Sequence, residues 1–265
     1  IGGGGLLLPD SPNGGNKISC WQWFISKNNI NKIKKPIYVL SIGYNLFYNQ
    51  NMSMPKRESN YEDKSRMSIL KDNLITLIKK SKVFTLRHKD DVNKVLDIVG
   101  HEYQNKVKYQ MCETVWYCNK FWKSKIKKDQ QKYFAIEIKD DREWRRYYKV
   151  GKKKYYNYLL QLVKNHIKNN EKILYLSHDG SRKFYNFLVQ NKVKIPYLSN
   201  TSGNEKKILE NYSKIHTIYC SAGHSQMISY GLGIKIISLI THPKIKNFCD
   251  DIGDKNGIEI NELKL

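Results

Sequence analysis

Cys220-Ser221-Ala222-Gly223-His224-Ser225-Gln226-Met227-Ile228-Ser229-Tyr230-Gly231-Leu232-Gly233 stands between two short apolar runs, residues 215–219 and 234–240. Each run has the length of a buried strand, and the segment between them is long enough for a crossover helix. The spacing therefore predicts a βαβ unit with His224 in its glycine turn. In open α/β sheets the turns beyond the carboxyl ends of the strands hold ligands, and a helix N-terminus there favours anions. The same residues also fit an ordinary loop that carries a histidine.

Working outward, the same alternation recurs. Upstream, residues 133–138 read as a strand, 139–146 as a charged turn and 152–169 as a helix. Residues 173–177 form a strand ending in His178-Asp179-Gly180, followed by a helix at 181–190, a short strand at 197–198 and a helix at 205–212. Downstream lie His242-Pro243-Lys244 and a last helix at 245–252.

In the first half, Ile1-Gly2-Gly3-Gly4-Gly5-Leu6-Leu7-Leu8 reads as a strand end running into a glycine turn. Such a turn serves a tight bend or a ligand's approach to the amides equally well, and it is neither GxGxxG nor a Walker loop. Residues 9–15 form a loop, Trp21-Gln22-Trp23 opens a helix to about residue 34, and 37–43 is a strand ending in Gly43-Tyr44-Asn45. The polar segment 47–63 reads as a loop. Met67, Leu70, Leu74, Leu77 and Ile78 fall at helical spacing within 65–80. A strand at 83–86 carries Arg87-His88 at its end, and Asp90 caps a helix through Val99, closed by Gly100. Strand–helix alternation throughout predicts an α/β protein of two Rossmann-like domains, 1–130 and 131–265, with mostly parallel sheets facing a central cleft. The division is expected in the lysine-rich stretch 120–132, which has few apolar residues to anchor it. No internal repeat is present.

A chain of 265 residues that is 40% hydrophobic and 27% charged is globular rather than disordered. No run of about 18 apolar residues marks a membrane span. The net charge of +23 would suit nucleic acid or anionic surfaces. Yet 40 of the 47 basic residues are lysine, while bidentate reading of bases and phosphates favours arginine. Without zinc-finger spacing or an RNP-like pattern, no specific nucleic-acid partner is expected. Five cysteines (20, 112, 118, 220, 249) form no regular framework, which fits reduced thiols in the cytoplasm. The chain opens on Ile1, so any N-terminal signal lies out of view.

Several predicted strand ends carry polar groups that one cleft would collect: Gly3, Gly4 and Gly5; Asn45; Arg87; Arg142 beside Asp141; His178; Gly223 and His224; His242 and Lys244. Individually, each has a plain structural reading, as a surface charge, a local ion pair or a helix cap. Together they describe a site rich in cations and imidazoles, suited to a small dianion, with no demand for a metal or nucleotide.

The residues 1–7, Trp21-Gln22-Trp23, the segment from Pro36-Ile37 to Ser41-Ile42-Gly43-Tyr44-Asn45, and Phe84-Thr85-Leu86-Arg87 recur in that order in polysaccharide pyruvyltransferases. So do Gly223-His224-Ser225-Gln226-Met227-Ile228, Gly231-Leu232, residues 236–239, His242-Pro243-Lys244 and Phe248. Asp141-Arg142 and residues 109–112 are weaker members. This resemblance, over nearly the whole chain, implies a glycosyltransferase-B-like fold. It also implies transfer of pyruvate from phosphoenolpyruvate onto two hydroxyls of a glycan sugar as a ketal, with release of phosphate. By the same resemblance His224 would act as acid/base or bind the donor, and Arg87 would grip the donor. Gly3–Gly5, Asn45, Arg142, Gly223, His242 and Lys244 would bind substrate, while His178 is a further catalytic candidate on its strand-end position alone. One departure stands out: family members carry arginine where this chain has Ala222. That keeps two other readings open, a non-catalytic glycan- or anion-binding protein of the same fold and a sugar-nucleotide glycosyltransferase.

Overall fold

The computed structural model of the chain describes residues 1–9, 19–22, 25–47 and 64–263. Two compact units divide it, Ile1–Glu113 and Thr114–Leu265, and both are α/β. The division falls upstream of residues 120–132, where lysine content alone would put it. Val115 and Cys118 explain this, because they pack against Gly231 within the second unit.

In the first unit, β1 (Ile37–Ile42), β2 (Ser81–Leu86) and β3 (Val107–Tyr109) form a parallel sheet in that order. Helices α1 (Lys27–Lys32), α2 (Lys64–Lys80) and α3 (Lys89–Val99) accompany it. Leu70, Leu74, Leu77 and Ile78, spaced to share one face of α2, are fully buried in one cluster with Val39, Phe84 and Leu86.

Three details differ from the sequence reading. The glycine segment is not a turn leaving a strand but a ragged parallel edge beside β1. Gly3 N donates to Leu40 O at 3.0 Å, and Gly43 N to Gly4 O at 2.8 Å. Trp21 does not open a helix: it is fully buried and bridges Leu7, while α1 begins at Lys27 with Ser26 Oγ accepting from Asn29 N. His88, not Asp90, holds the N-cap position of α3, and Gly100 closes that helix at φ 112°. Trp23 and the segments 10–18 and 48–63 lie outside the described residues.

In the second unit six strands run parallel: β4 (Tyr133–Glu137), β5 (Ile173–Ser177), β6 (Tyr197–Ser199), β7 (Ile215–Cys220), β8 (Lys235–Ile240) and β9 (Ile258–Glu259). The helices are α4 (Glu113–Phe121, which starts at the division), α5 (Glu143–Arg146), α6 (Lys152–Lys168), α7 (Lys183–Gln190), α8 (Glu205–Tyr212), α9 (Gly223–Leu232) and α10 (Pro243–Ile252). The sheet order is β6-β5-β4-β7-β8-β9. The chain builds outward from β4 to β6, then returns to the other side of β4. That reversal makes a Rossmann-like switch point between β4 and β7, and ligands of such sheets bind in the crevice it leaves. Tyr155, Leu159, Val163, Tyr175, Phe184 and Leu188 are buried in this unit's core. Among the described residues no helix is long and apolar enough to cross a membrane.

Close packing fixes α9 against α4. A Cβ at Gly231 would lie 2.6 Å from Val115 O and 2.7 Å from Cys118 Cβ. Gly231→Ala is therefore expected to destabilise the protein by about 1–3 kcal/mol, read as a lower urea midpoint at unchanged slope. An unchanged midpoint would mean the two helices part easily.

Candidate functional site

All strands of the second unit point the same way, so their carboxyl ends share one edge of the sheet. The loop after β4, His178 after β5, the Ser221–His224 turn after β7 and His242 after β8 all lie there.

At the switch point the end of β4 meets the start of α9. Glu137 is 2% exposed, and its Oε2 accepts from Ala222 N at 3.0 Å and Ser221 N at 3.3 Å. Burial raises its pKa to about 7, against the opposing hydrogen bond from Ser221. Ser221, fully buried, accepts from Lys139 N at 2.6 Å. These bonds clamp the β4 and β7 ends together and fix the turn that presents Gly223 and His224 as the first two residues of α9. A Cβ on Gly223 would meet nothing within 4 Å, so the helix N-terminus stays open on that side. A ten-residue helix carries partial positive charge at this end, where an anion is favoured.

Cations and imidazoles surround this turn. Arg146 is fully buried: its Nε and Nη2 donate to Asp141 Oδ1 at 3.1 and 2.7 Å, and its Nη1 to Thr241 Oγ1 at 3.3 Å. It therefore ties the loop after β4 to the end of β8. Burial works against ionisation of Asp141, but Arg146 and Arg142 outweigh it and hold the carboxyl near 2. Arg142 sits at φ 49° and pairs with Asp141 at 3.1 Å. The Lys139 ammonium pairs with Asp179.

His178 Nε2 meets Tyr212 Oη at 2.5 Å and lies 3.4 Å from Asn200 Nδ2. Burial first, then His224, lowers its pKa to about 4, so it is a neutral imidazole at pH 7. That form can accept or relay a proton but is a poor reserve of one. His242 is fully buried and caps α10, its Nδ1 accepting from Lys244 N at 3.1 Å, with Pro243 leading the helix. The structure thus brings His224, Gly223, His178, Arg142, His242 and Lys244 to one sheet edge.

The first unit gathers the other predicted residues. Arg87 Nη2 donates to Asn45 Oδ1 at 2.8 Å, and Asn45 Nδ2 donates to Gly5 O at 3.2 Å. Glycine is required at two of these contacts: a Cβ at Gly43 would sit 2.2 Å from Arg87 Nε, and one at Gly5 only 1.5 Å from Asn45 Nδ2. Gly3 and Gly4 hold positive φ, 65° and 82°, and their open faces meet nothing closer than 3.8 Å. Arg87 is 7% exposed, and its Nε has no hydrogen-bond partner among the described residues. Burial lowers its pKa, with Asp91 opposing. Asp91, fully buried, accepts from Tyr44 N at 3.1 Å; burial raises its pKa to about 6, against His88 and Arg87. Ser41 is held at φ 48° by bonds from its Oγ to Gln110 O and Met111 O, and from its amide to Thr85 Oγ1.

Glu137 and Arg146 were missed by the sequence reading. The signal for Glu137 was a single acid ending an otherwise apolar strand. Arg146 was hidden among three arginines, of which Arg142 adjoins Asp141 in sequence. All five cysteines are buried, and none forms a disulfide. Among the described residues no group of three or more His, Cys, Asp or Glu is placed to hold a metal ion. No protein-family model matches the chain, and no curated protein gives a significant match.

Proposed function

We propose that the chain transfers a pyruvyl group from phosphoenolpyruvate onto two hydroxyls of a glycan sugar. The observation that carries this reading is the position of Gly223-His224, the motif resembling that family, at the open N-terminus of α9 on the switch point. A glycosyltransferase-B-like architecture belongs to the same reading. In the reaction the donor's methylene carbon gains a proton and an acceptor oxygen bonds to the adjacent carbon. Phosphate leaves, and the second hydroxyl closes the ketal. The two hydroxyl protons end on the new methyl group and the phosphate. His224 is the acid/base in this scheme, helped by the cationic sheet edge in holding the donor. His178 stays neutral beside it as a relay. Arg87, with Asn45, binds a donor anion. Glu137 acts through the turn it clamps and is a positioning residue.

Calorimetric titration of phosphoenolpyruvate into the full chain tests the reading. Binding is expected, and Arg87→Ala should weaken it by at least roughly tenfold. No heat of binding at millimolar donor would end the proposal.

One observation favours a non-catalytic anion- or glycan-binding protein instead. Ala222 brings only a methyl group to the turn, and its amide is given to Glu137. Ala222→Arg separates the two. A gain of turnover of roughly 30- to 1000-fold marks a weakened enzyme, and intact glycan binding without turnover marks a binding protein. Protection by a nucleotide sugar, but not by phosphoenolpyruvate, would mark a sugar-nucleotide glycosyltransferase.

A further inference from the structure

Helix α4 turns Val115 and Cys118 inward and leaves three consecutive ring-bearing positions of its outer side in water. Trp116 is 57% exposed, Phe121 41% and Tyr117 38%. The rings form one platform: Phe121 lies 5.6 Å from Trp116, edge to face, and 5.1 Å from Tyr117. Glu205 fixes it from behind, accepting from Tyr117 Oη and from Trp122 Nε1. The platform is thus built, and its three rings stay largely open to water in the described chain. Contiguous exposed aromatic surface of this kind marks an interaction site.

Lysines border the same surface. Lys120 Nζ stands 4.8 Å over Trp116 and 5.4 Å over Phe121, and Lys125 Nζ 4.7 Å over Trp122. Residues 120–132 contain six lysines and a single acid, Asp129. Exposed aromatic rings with a lysine fringe match the two layers of a membrane surface. The amphipathic rings seat at headgroup level, while lysine stems lie along apolar surface and their ammonium groups reach lipid phosphates. The chain contains no arginine between Arg87 and Arg142, so this patch lacks the guanidinium forks that read bases.

We infer that the Trp116–Tyr117–Phe121 platform and its lysine fringe dock the protein onto an anionic membrane surface. The protein lies on the bilayer without spanning it. This inference stands apart from the donor chemistry.

Co-sedimentation of the full chain with vesicles tests it at physiological salt. Phosphatidylcholine vesicles carrying about one third phosphatidylserine should bind at least roughly tenfold more tightly than neutral ones. Trp116→Ser with Phe121→Ser leaves the net charge unchanged and should still lose at least roughly tenfold in affinity, as should Lys120→Gln, Lys123→Gln and Lys125→Gln together. Lys164→Gln, Lys168→Gln and Lys194→Gln remove the same charge from exposed positions elsewhere, and this control should bind as the native chain does. The variants change exposed side chains, and thermal melts verify that they stay folded. The inference is overturned if the aromatic variant binds anionic vesicles undiminished, or if the control loses as much as the fringe variant. Single-stranded oligonucleotide bound more tightly than vesicles at the same salt would overturn it in favour of nucleic acid.

Discussion

His224→Ala is expected to lower phosphoenolpyruvate-dependent phosphate release by roughly 10²- to 10⁴-fold, the usual contribution of a positioned acid/base. The expectation rests on placement. His224 is the second residue of α9, beyond the strand end that the Glu137 clamp fixes, and beside the open face at Gly223. A group that moves a proton only as the bonds change should alter kcat and leave donor binding nearly untouched. If His224 instead grips the donor, KM rises while kcat survives. Steady-state kinetics together with donor titration separate these outcomes, and turnover within a factor of about three of the native value would remove His224 from the chemistry altogether. Arg87→Ala is a less direct probe, because the buried guanidinium also holds Asn45 and faces Asp91. Its effects on activity have to be read beside its effects on stability.

The second large effect concerns stability and pH. The buried carboxyl of Glu137 titrates at about 7 in the folded protein against an ordinary 4.5, so the fold holds this proton more tightly than the unfolded chain does. The resulting stability is fully present below pH 4.5 and is lost as pH rises through about 7. The gap corresponds to about 3 kcal/mol. Asp91, near 6, acts in the same direction. His178 acts in the opposite one: pushed down to about 4, it contributes stability above pH 6.5 that is lost as pH falls through about 4. Glu137→Gln removes only its own part, because an amide oxygen can still accept from Ser221 and Ala222. Between pH 5 and pH 8 the variant should therefore gain about 2–3 kcal/mol relative to the native chain. Urea unfolding at the two pH values measures this, and parallel pH profiles for the two proteins would show that Glu137 does not titrate in this range. Ionised Glu137 also places negative charge at the N-terminus of α9. Inorganic phosphate should accordingly bind the native chain less tightly above pH 7, and the variant should show a flatter dependence.

Much of the second unit was legible in the sequence because each apolar run there is bounded by turn residues. The strand at 173–177 and the helix at 205–212 match the structure residue for residue. Strands β3 and β9 went unread because three and two residues are too few to show alternation. Helix α4 went unread because its aromatic residues face water while Val115 and Cys118 do the packing. Trp21 looked like a helix start because its pairing with Leu7 is a tertiary contact. The strand-end positions of His224, His178 and Arg87 followed from the alternation alone. The roles of Glu137 and Arg146 did not, since burial and links between residues 84 to 95 positions apart leave no local pattern.

The sheet order also bears on how the second unit is made. β4 leads that unit's strands in the chain yet lies near the middle of the sheet, and its pairing with β7 joins residues about eighty positions apart. At ribosomal speeds of 5–20 residues per second, one edge of β4 waits roughly 4–16 s for its partner. An unpaired, apolar strand edge is a template for wrong partners during that interval. The lysines at 132 and 139 bracket β4 and put charge on both sides of it. They fit the role of guards for a nascent strand, and the late closure of β4 on β7 is what finally assembles the His224 turn.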